Sequence, residues 1–449
     1  MQGHNAARPL KVAVVGSGIA GLSCAWLLDP VHEVTLYEAD TRLGGHSHTV
    51  DAPTAGGSIP VDTGFIVYNE DNYPNLTALF AHIGAPTKAA AMSFGVSLDG
   101  GALEYGSATP LSLLAQPSNV VKPRFWSMLR DLVRFYREAP EALAALELQP
   151  KTLGELLDQG GYGKAFQEDH LLPQVGAIWS TSPAGARDYP AEALVRFFKN
   201  HGLLNLARRP QWKTLDGGSR AYVEKLSGAL RGEIRLATGV TRIVRGADGV
   251  TVHDVTGGSQ RFDRVVVASH ADQALRMLDA PTSAERTVLG AFRYTKNRTV
   301  LHTDKSLMPH RRAAWSAWNH IGARGDPDGF CCTYWMNNLQ QLPKKPDLFV
   351  TLNPNRTIGP GAVIGSYEYD HPLFDRAALD AQKRLWSLQG EGGVWFCGAH
   401  FGAGFHEDGL QSGLAVAEEL GCVRRPWSVA EESGRIHLSP AAEPPKLAA

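Results

Sequence analysis

The chain begins with apolar runs and a helical stretch in an order typical of a buried parallel β-sheet. Lys11–Val15 and Val34–Glu38 are short apolar runs of the length that buried strands adopt, and the second ends in an acid. Between them, the apolar residues of Leu22–Leu28 predict a helix. A strand, a helix and a second strand in this order predict a β-α-β unit.

Later apolar runs predict strands of two kinds. Val240–Val244, Phe262–Ser269 and Val394–Cys397 are short apolar strands, and the last leads through a glycine-rich loop into a further helix. Strands of an antiparallel sheet are predicted for Arg298–Thr303, Ala314–Trp318 and Phe330–Met336. Such an aromatic-rich sheet can cover an apolar cavity. For any single aromatic residue, the alternative is that it only fills the protein core.

Composition narrows the class of protein. At roughly 150 residues per domain, a chain of 449 residues predicts two or three domains. The 44 basic and 45 acidic side chains nearly cancel, which argues against a general nucleic-acid-binding protein. Five cysteines without Cys-x-x-Cys spacing predict a reducing compartment and no disulfide framework. Because neither a signal pattern nor an apolar membrane span is evident, we expect a cytoplasmic protein.

The chain is rich in glycine, with 47 of 449 residues, and several of them form one motif directly after the first strand. In Gly16-Ser-Gly18-Ile-Ala-Gly21, the first glycine permits a tight turn, the second a close approach to a pyrophosphate, and the third close packing of helix and strand. The helix N-terminus favours an anion. Glu38 follows Gly18 by 20 residues, the spacing of a ribose-binding acid. These residues predict a dinucleotide site for NAD or FAD.

The next residues distinguish between the two cofactors. Glu38 is followed by Arg42 and by Gly44-Gly45, a stretch that resembles the FAD-binding members of the flavin amine oxidase superfamily. Most members have Arg after the glycine pair, where this chain has His46. The resemblance implies an α/β fold, with a Rossmann-like FAD-binding domain of the amine oxidase (GR2) type and a second α+β substrate domain that contains an antiparallel sheet.

A second resemblance lies near the carboxyl end. Asp408-Gly409 and Ser412-Gly413 match the superfamily's closing flavin motif, whereas Ala399 stands where many members have an acid. Cys397 lies on the strand, away from the position where some relatives attach flavin, so noncovalent FAD is implied. The residues that the resemblance places at FAD are Gly16, Gly18, Ile19, Ala20, Gly21, Glu38, Ala39, Arg42, Gly44, Gly45, His46, Thr63, Gly64, Val240, Ser269, Gly398, Asp408, Gly409, Leu410 and Ser412.

The resemblance covers nearly the whole chain and implies a discontinuous organisation. The implied segments are residues 1–90, 205–280 and 388–425 for the FAD-binding domain, 91–204 and 281–387 for the substrate domain, and 426–449 for a flexible C-terminal tail.

Four stretches resemble bacterial flavoproteins found beside cyclopropane-fatty-acid-type methyltransferases. They are Val61–Asn69, Ala177–Thr181, Asn200–Gly202 and Phe405–Gly409. Related members include a desaturase of methylated acyl chains in furan fatty acid formation. The resemblance implies desaturation or isomerisation of a fatty acyl chain in a phospholipid, with hydride transfer to flavin N5 and a methyltransferase as a partner. The oligomeric state stays open.

Candidate catalytic residues follow from the same motif. His406 is the first candidate for the acid–base or flavin-facing group and Glu407 the second, while a structural, hydrogen-bonded His406 remains an alternative. A true amine oxidase would use an aromatic pair and a lysine, for which Lys296 lies in a suitable region. A third alternative is a flavin-bound scaffold without turnover. His46-x-His48 has spacing for a metal pair but no evident third ligand, so no metal is expected.

The segment Lys122–Arg137 predicts a basic amphipathic helix. Phe125, Met128, Leu132 and Tyr136 belong to one apolar face, and arginines occupy much of the remainder. Such a helix can lie on anionic lipid, which would place the protein peripherally on the inner face of the membrane. The alternative is a core-facing helix with a solvated basic side.

Overall fold

The structure is a computed structural model, and it describes residues 8–205, 210–327 and 329–438. Parts of the predicted FAD-binding segments (1–7, 206–209) and of the predicted tail (439–449) lie outside the described residues. The strands are β1 (Lys11–Val15), β2 (Glu33–Tyr37), β3 (Thr49–Thr54), β4 (Gly57–Asp62), β5 (Tyr68–Asn69), β6 (Thr87–Ala89), β7 (Phe94–Leu98), β8 (Leu103–Gly106), β9 (Trp212–Leu215), β10 (Glu233–Arg235), β11 (Val240–Gly246), β12 (Gly249–Asp254), β13 (Ser259–Phe262), β14 (Arg264–Val267), β15 (Arg293–His302), β16 (Trp318–Gly322), β17 (Cys332–Trp335), β18 (Phe349–Leu352), β19 (Val363–Leu373) and β20 (Val394–Phe396).

The helices connect and cover these strands. They are α1 (Ile19–Leu28), α2 (Pro74–His82), α3 (Pro110–Leu113), α4 (Pro123–Leu148), α5 (Leu153–Gln159), α6 (Lys164–Phe166), α7 (Leu172–Trp179), α8 (Pro183–Asp188), α9 (Ala191–Asn200), α10 (Arg220–Gly228), α11 (Ala271–Met277), α12 (Ser283–Leu289), α13 (Met336–Leu339), α14 (Arg376–Leu385) and α15 (His406–Gly421).

A parallel sheet has the strand order β10–β2–β1–β14–β20. Its central strands are apolar on both faces because they are covered on both sides, and Val12 and Val14 of β1 are fully buried. The predicted β-α-β unit is β1, α1 and β2. Because parallel strands end at the same edge, Gly16, Glu38 and Gly398 follow three strands at one edge of the sheet.

A mixed sheet of seven strands has the order β19–β15–β18–β17–β16–β7–β8. Its pairs are antiparallel except that β16 lies parallel to β7. The predicted fold class, a Rossmann-like sheet with a second α+β part that contains an antiparallel sheet, is confirmed. The strand predicted at Ala314–Trp318 begins only at Trp318, because Asn319 and Ser93 side chains accept the N–H groups of Ser316 and Ala317.

Helix α15, near the carboxyl end of the sequence, packs against α1, near its amino end. Gly413 permits this close approach, since a Cβ there would overlap the carbonyl oxygen of Ala20. Leu410 and Leu414 are fully buried in the same apolar cluster as Leu22 of α1. The amino-terminal glycine motif and the carboxyl-terminal motif therefore meet through a helix–helix contact.

The described part of the predicted flexible tail is packed against the fold. Trp427 stacks on Trp26 of α1 with ring centroids 6.1 Å apart. Arg435 forms an ion pair with Asp408 at 2.7 Å, and Ile436 is buried. Aromatic and charged side chains thus join residues 426–438 to α1 and α15, and the flexibility expected for residues 426–449 stays a prediction.

The predicted amphipathic helix is the first part of α4, and its apolar face points inward. Phe125, Met128 and Tyr136 are buried in the protein core. Leu132 and Tyr136 of the same face line an internal cavity, which fits the alternative of a core-facing helix, and contact of 122–137 with a membrane stays a prediction. In the described ranges, no helix is both long and apolar enough to cross a membrane.

Candidate active site and cofactor cavity

A cavity of about 1470 Å³ extends from the carboxyl edge of the parallel sheet to helix α4. A pocket for one small ligand has roughly 300–1,000 Å³. The cavity therefore has room for a dinucleotide and a substrate together. Most of its lining is apolar, and it contains residues of both the amino-terminal and the carboxyl-terminal motif.

The glycine turn lines one end of this cavity. Gly16 has φ +101°, and a Cβ there would lie 2.8 Å from the carbonyl oxygen of Ala268. A Cβ on Gly21 would overlap the carbonyl oxygen of Gly16, whereas a Cβ on Gly18 would enter open space. No side chain caps the start of α1, so its first N–H groups, at Ile19 and Ala20, face a space suited to an anion.

Glu38 lines the cavity next to this turn. Its Oε2 accepts the N–H and the Oγ–H of Ser17 at 2.9 and 2.5 Å, and its Oε1 accepts the N–H of Asp40 at 2.9 Å. A carboxylate oxygen accepts two hydrogen bonds, so Oε1 retains capacity for a ribose hydroxyl. Ala39 and Val240 line the adjacent wall, where an adenosine would lie.

The loop after β2 is organised by Arg42. Its guanidinium donates to the carbonyl oxygens of Gly45 at 2.8 Å and of Ser47 at 3.3 Å. Gly44 and Gly45 line the cavity, and a Cβ on Gly45 would lie 3.1 Å from the Cα of Gly18. Arg42 shapes this loop and does not belong to the described lining, so its direct contact with FAD stays a prediction.

The cavity wall beyond the glycine turn is lined by residues from several loops. They are His46, Gly64, Ser269 and Gly398. The predicted contact Thr63 lies behind this wall, where its Oγ1 shares a 2.7 Å hydrogen bond with Tyr369. The structure therefore brings most of the predicted cofactor residues to one surface, while Thr63 supports that surface from the protein side.

Four residues of the closing motif also lie behind the described lining. Ser412 Oγ accepts the N–H of Gly398 at 2.9 Å, and Asp408 Oδ2 accepts the N–H of Phe405 at 2.7 Å. Burial raises the pKa of Asp408 to about 6. Gly409 lies against Ile19, and Leu410 is buried between α1 and α15. In the described structure these residues position the loop that lines the cavity, and their own contact with FAD stays a prediction.

His406 lines the cavity at the start of α15. Its ring stacks on Phe65 with centroids 3.6 Å apart. Its Nε2 lies 2.9 Å from Ser47 Oγ and 3.3 Å from Tyr222 OH. Burial lowers the pKa of His406 to about 3, so the imidazole is neutral at pH 7. A neutral, fixed ring can face a flavin, but its Nε2 is engaged by protein hydroxyls.

Glu407 does not face the cavity, which corrects its proposed catalytic role. The carboxylate is fully buried and accepts the N–H groups of Asn75 and Leu76 at 3.0 and 2.9 Å. Gln411 donates to the same carboxylate at 2.9 Å. Since Asn75 and Leu76 lie in the first turn of α2, Glu407 caps that helix across the interface with α15.

Two imidazoles that sequence reasoning missed lie on the opposite wall, near His46. His371 of β19 has its ring centroid 5.6 Å from that of His46, and its Nδ1 lies 2.9 Å from Ser180 Oγ. His270 stacks on Tyr294 at 4.4 Å. Burial lowers the pKa of His371 to about 4. The alternating polar and aromatic residues of Val363–Leu373 were a signal that this strand borders a site.

Lys296, the residue suggested for an amine oxidase, lies on the outer side of β15. Its side chain is 73% exposed and forms an ion pair with Glu368 at 2.8 Å. It does not reach the described cavity, so this lysine cannot act at a flavin there. His46 and His48 also diverge: His48 Nδ1 lies 2.8 Å from Tyr369 OH, whereas His46 faces the cavity.

Comparison with known proteins agrees with this geometry. The model of the flavin-containing amine oxidoreductase family matches residues 19–342. The chain belongs to this family. Members of the family bind FAD, and the open helix N-terminus, Glu38 and the two glycine loops fit that cofactor.

Individual relatives of this flavin amine oxidoreductase differ in their activities. The chain is 28% identical over 300 residues to coproporphyrinogen III oxidase of Mycobacterium leprae (strain TN), a match over 62% of this chain and 63% of that protein. A putrescine oxidase structure has a TM-score of 0.64 at 16% identity and covers 92% of this chain and 99% of its own. A fatty acid isomerase from P. acnes has a TM-score of 0.62 at 14% identity and covers 92% and 98%. At these identities, the two structures show a common fold.

Proposed function

We propose that this chain is an FAD-dependent oxidoreductase that desaturates or isomerises a fatty acyl chain of a phospholipid. The observation that carries the proposal is the apolar lining between the flavin end of the cavity and α4. Phe94, Ile178, Leu132 and Tyr136 belong to this part of the wall. A long apolar chain gains free energy by leaving water for such a surface. A fatty acid isomerase with the same fold supports this choice of substrate class.

The charges of the lining also favour a neutral chain over other substrates. Among the described lining residues, Arg276 carries the one permanent positive charge, and it pairs with Asp272 at 2.7 Å. A porphyrinogen with several carboxylates would need more cations. Apart from Glu38 at the ribose end, Asp370 is the acid of the described lining, so an amine substrate also has little electrostatic support.

The protein residues would position the chain and accept a proton. Bound FAD supplies a hydride acceptor at N5. Desaturation removes a hydride and a proton from neighbouring carbons and forms a C=C bond, and an external oxidant takes up the two electrons. We assign the proton to His371 Nε2, to which no described residue is hydrogen-bonded. This role requires the tautomer whose Nδ1–H donates to Ser180 Oγ at 2.9 Å, with the amide nitrogen of Asn297 at 3.3 Å from the same Nδ1. His406, stacked on Phe65, lines the cavity on the other wall and would contact bound FAD there.

Anaerobic mixing tests this function. Bleaching of the flavin band near about 450 nm by unsaturated or methylated phospholipid, and not by amines, supports acyl desaturation. An acyl product with a shifted double bond, detected by mass spectrometry without bleaching, supports isomerisation. Bleaching by simple amines or by a porphyrinogen alone contradicts the proposal. If the flavin is not bleached and no new product forms, the protein is a flavin-bound scaffold without turnover.

The assignment of His371 has its own test. His371→Gln should lower the rate of flavin reduction by about 10²–10⁴-fold, the usual contribution of a general base. Lys296→Met, a surface change on the same sheet, is the matched control and should leave the rate unchanged. If His406→Ala loses the rate while His371→Gln keeps it, the proton acceptor is His406 instead.

A further inference from the structure

Apolar side chains are concentrated on the surface around the α4 end of the cavity. In the described residues, twelve large apolar side chains are exposed, and six of them lie within residues 109–137. Leu111 and Val121 are each 81% exposed, and Trp126 is 52% exposed. Single exposed apolar residues are ordinary, whereas a cluster marks an interaction site. We call residues 109–137 the mouth surface.

The mouth surface is continuous with the cavity. Trp126 Nε1 donates to the carbonyl oxygen of Val120 at 2.7 Å, so α4 and the turn before it form one surface. Leu113 and Leu129 pack against the same apolar cluster and also line the cavity. Val133, 49% exposed, belongs to both the cavity wall and the outer surface. A chain bound in the cavity can therefore leave it between exposed apolar side chains.

Basic residues surround these apolar side chains. The mouth surface contains five basic residues and one acid, Asp131, which is buried. Arg130 and Arg137 have side chains that are 73% and 72% exposed, and each also pairs with the acid that follows it in the chain, Asp131 at 3.2 Å and Glu138 at 3.4 Å. Arg124 is partly neutralised by Asp169 at 2.8 Å. The combination of apolar tips and a basic rim complements an anionic lipid surface, where Trp occupies the interface and Arg meets headgroups.

We propose that the mouth surface docks on an anionic phospholipid bilayer and that the substrate acyl chain enters the cavity from the lipid. Leu111 and Val121 insert among the acyl chains, Trp126 lies at the interface, and Arg130 and Arg137 remain at the headgroups. The proposed occupant is lipid and not a second copy of this chain, because two mouth surfaces would bring like charges together. The path of the acyl chain rests on the proposed function, whereas docking itself does not.

Vesicle sedimentation tests docking without turnover. The full FAD-loaded chain should pellet with vesicles of phosphatidylcholine and phosphatidylglycerol, and more weakly with phosphatidylcholine alone. The double variant Leu111→Ser/Val121→Ser should bind at least roughly tenfold more weakly, because affinity follows the inserted apolar area. Leu148→Ser is the matched control and should bind normally, since Leu148 is 85% exposed at the far end of α4.

The outcomes separate the two proposals. Equal binding by the double variant, or no binding by the wild type, overturns docking. Docking is also overturned if the wild type is a dimer and the double variant a monomer in sedimentation velocity, while the double variant still binds vesicles. That result would show that the mouth surface joins two copies of the chain. If the wild type docks but does not act on acyl chains, docking stands and the proposed function fails. If the wild type does not dock on vesicles but turns over detergent-dispersed acyl substrate, the proposed function stands and docking fails.

Discussion

The carboxylate of Glu407 accepts the backbone N–H of Leu76 at 2.9 Å, and this contact joins α15 to the amino terminus of α2. Asn75 donates both its N–H and its side-chain amide to the other carboxylate oxygen, at 3.0 and 2.9 Å. A buried acid that satisfies helix-end donors contributes to stability, because those N–H groups have no partner within their own helix.

We therefore expect Glu407→Gln to affect stability more than chemistry. Replacing the charged acceptor should lower the free energy of unfolding by about 2 kcal/mol, within the range for hydrogen bonds to charged groups. Urea denaturation of the FAD-loaded protein measures this loss, and flavin reduction should stay within about twofold of the wild type. Glu419→Gln, on the exposed side of α15, is the control. A folded variant with normal stability and no turnover would restore Glu407 as a catalytic candidate.

Two glycines of the same motif should respond differently to alanine. Gly21→Ala should prevent folding or lower the melting temperature strongly, because its Cβ would overlap the carbonyl oxygen of Gly16. Gly18→Ala should fold normally, because its Cβ would enter open space, but should retain less FAD, because that space faces the start of α1. Circular dichroism and the ratio of flavin to protein after gel filtration check both expectations. Full FAD retention by Gly18→Ala would contradict the assigned pyrophosphate position.

Burial lowers the pKa of His320 to about 4, whereas a histidine in an unfolded chain has a pKa of about 6.5. Between these values, the unfolded chain takes up a proton that the folded chain excludes. The free energy of unfolding should therefore fall as the pH falls from 6.5 towards 4, by up to about 1.4 kcal/mol per pH unit for this group. Denaturation at several pH values should show a shallower dependence for His320→Phe. An unchanged dependence would mean that the fold does not lower the pKa of His320.

The flavin should be released intact on denaturation. Cys397 is fully buried in the apolar cluster between α1 and α15, and burial raises the pKa of its thiol well above the usual range. The thiol neither lines the described cavity nor forms a reactive thiolate. Acid precipitation of the loaded protein should leave all flavin absorbance in the supernatant. A yellow pellet that persists after washing would show a covalent link.

The dinucleotide turn could be predicted from the sequence because its chemistry depends on residues close in the chain. Gly16, Gly18, Gly21 and Glu38 lie within 23 consecutive residues, and one strand, one helix and a second strand fix their relative positions. The strand composition also predicted both sheet types, since buried parallel strands and half-buried antiparallel strands differ in their apolar pattern.

Side-chain direction could not be read from the motifs. Neighbouring residues 406 and 407 were both candidates, yet His406 lines the cavity while Glu407 turns to α2, because successive positions on a helix face different sides. The same uncertainty affected 122–137: its apolar periodicity predicted a helix correctly but did not say whether the partner of that face was lipid or protein.

Local spacing thus specified the fold class, the cofactor turn and the elements that carry them, since backbone geometry there depends on nearby residues. Tertiary structure alone placed His371 beside His46, residues more than 300 positions apart, and joined the exposed side chains of 109–137 to the cavity mouth. Those juxtapositions depend on how the two sheets and α4 pack, and packing is set by contacts summed over the whole chain.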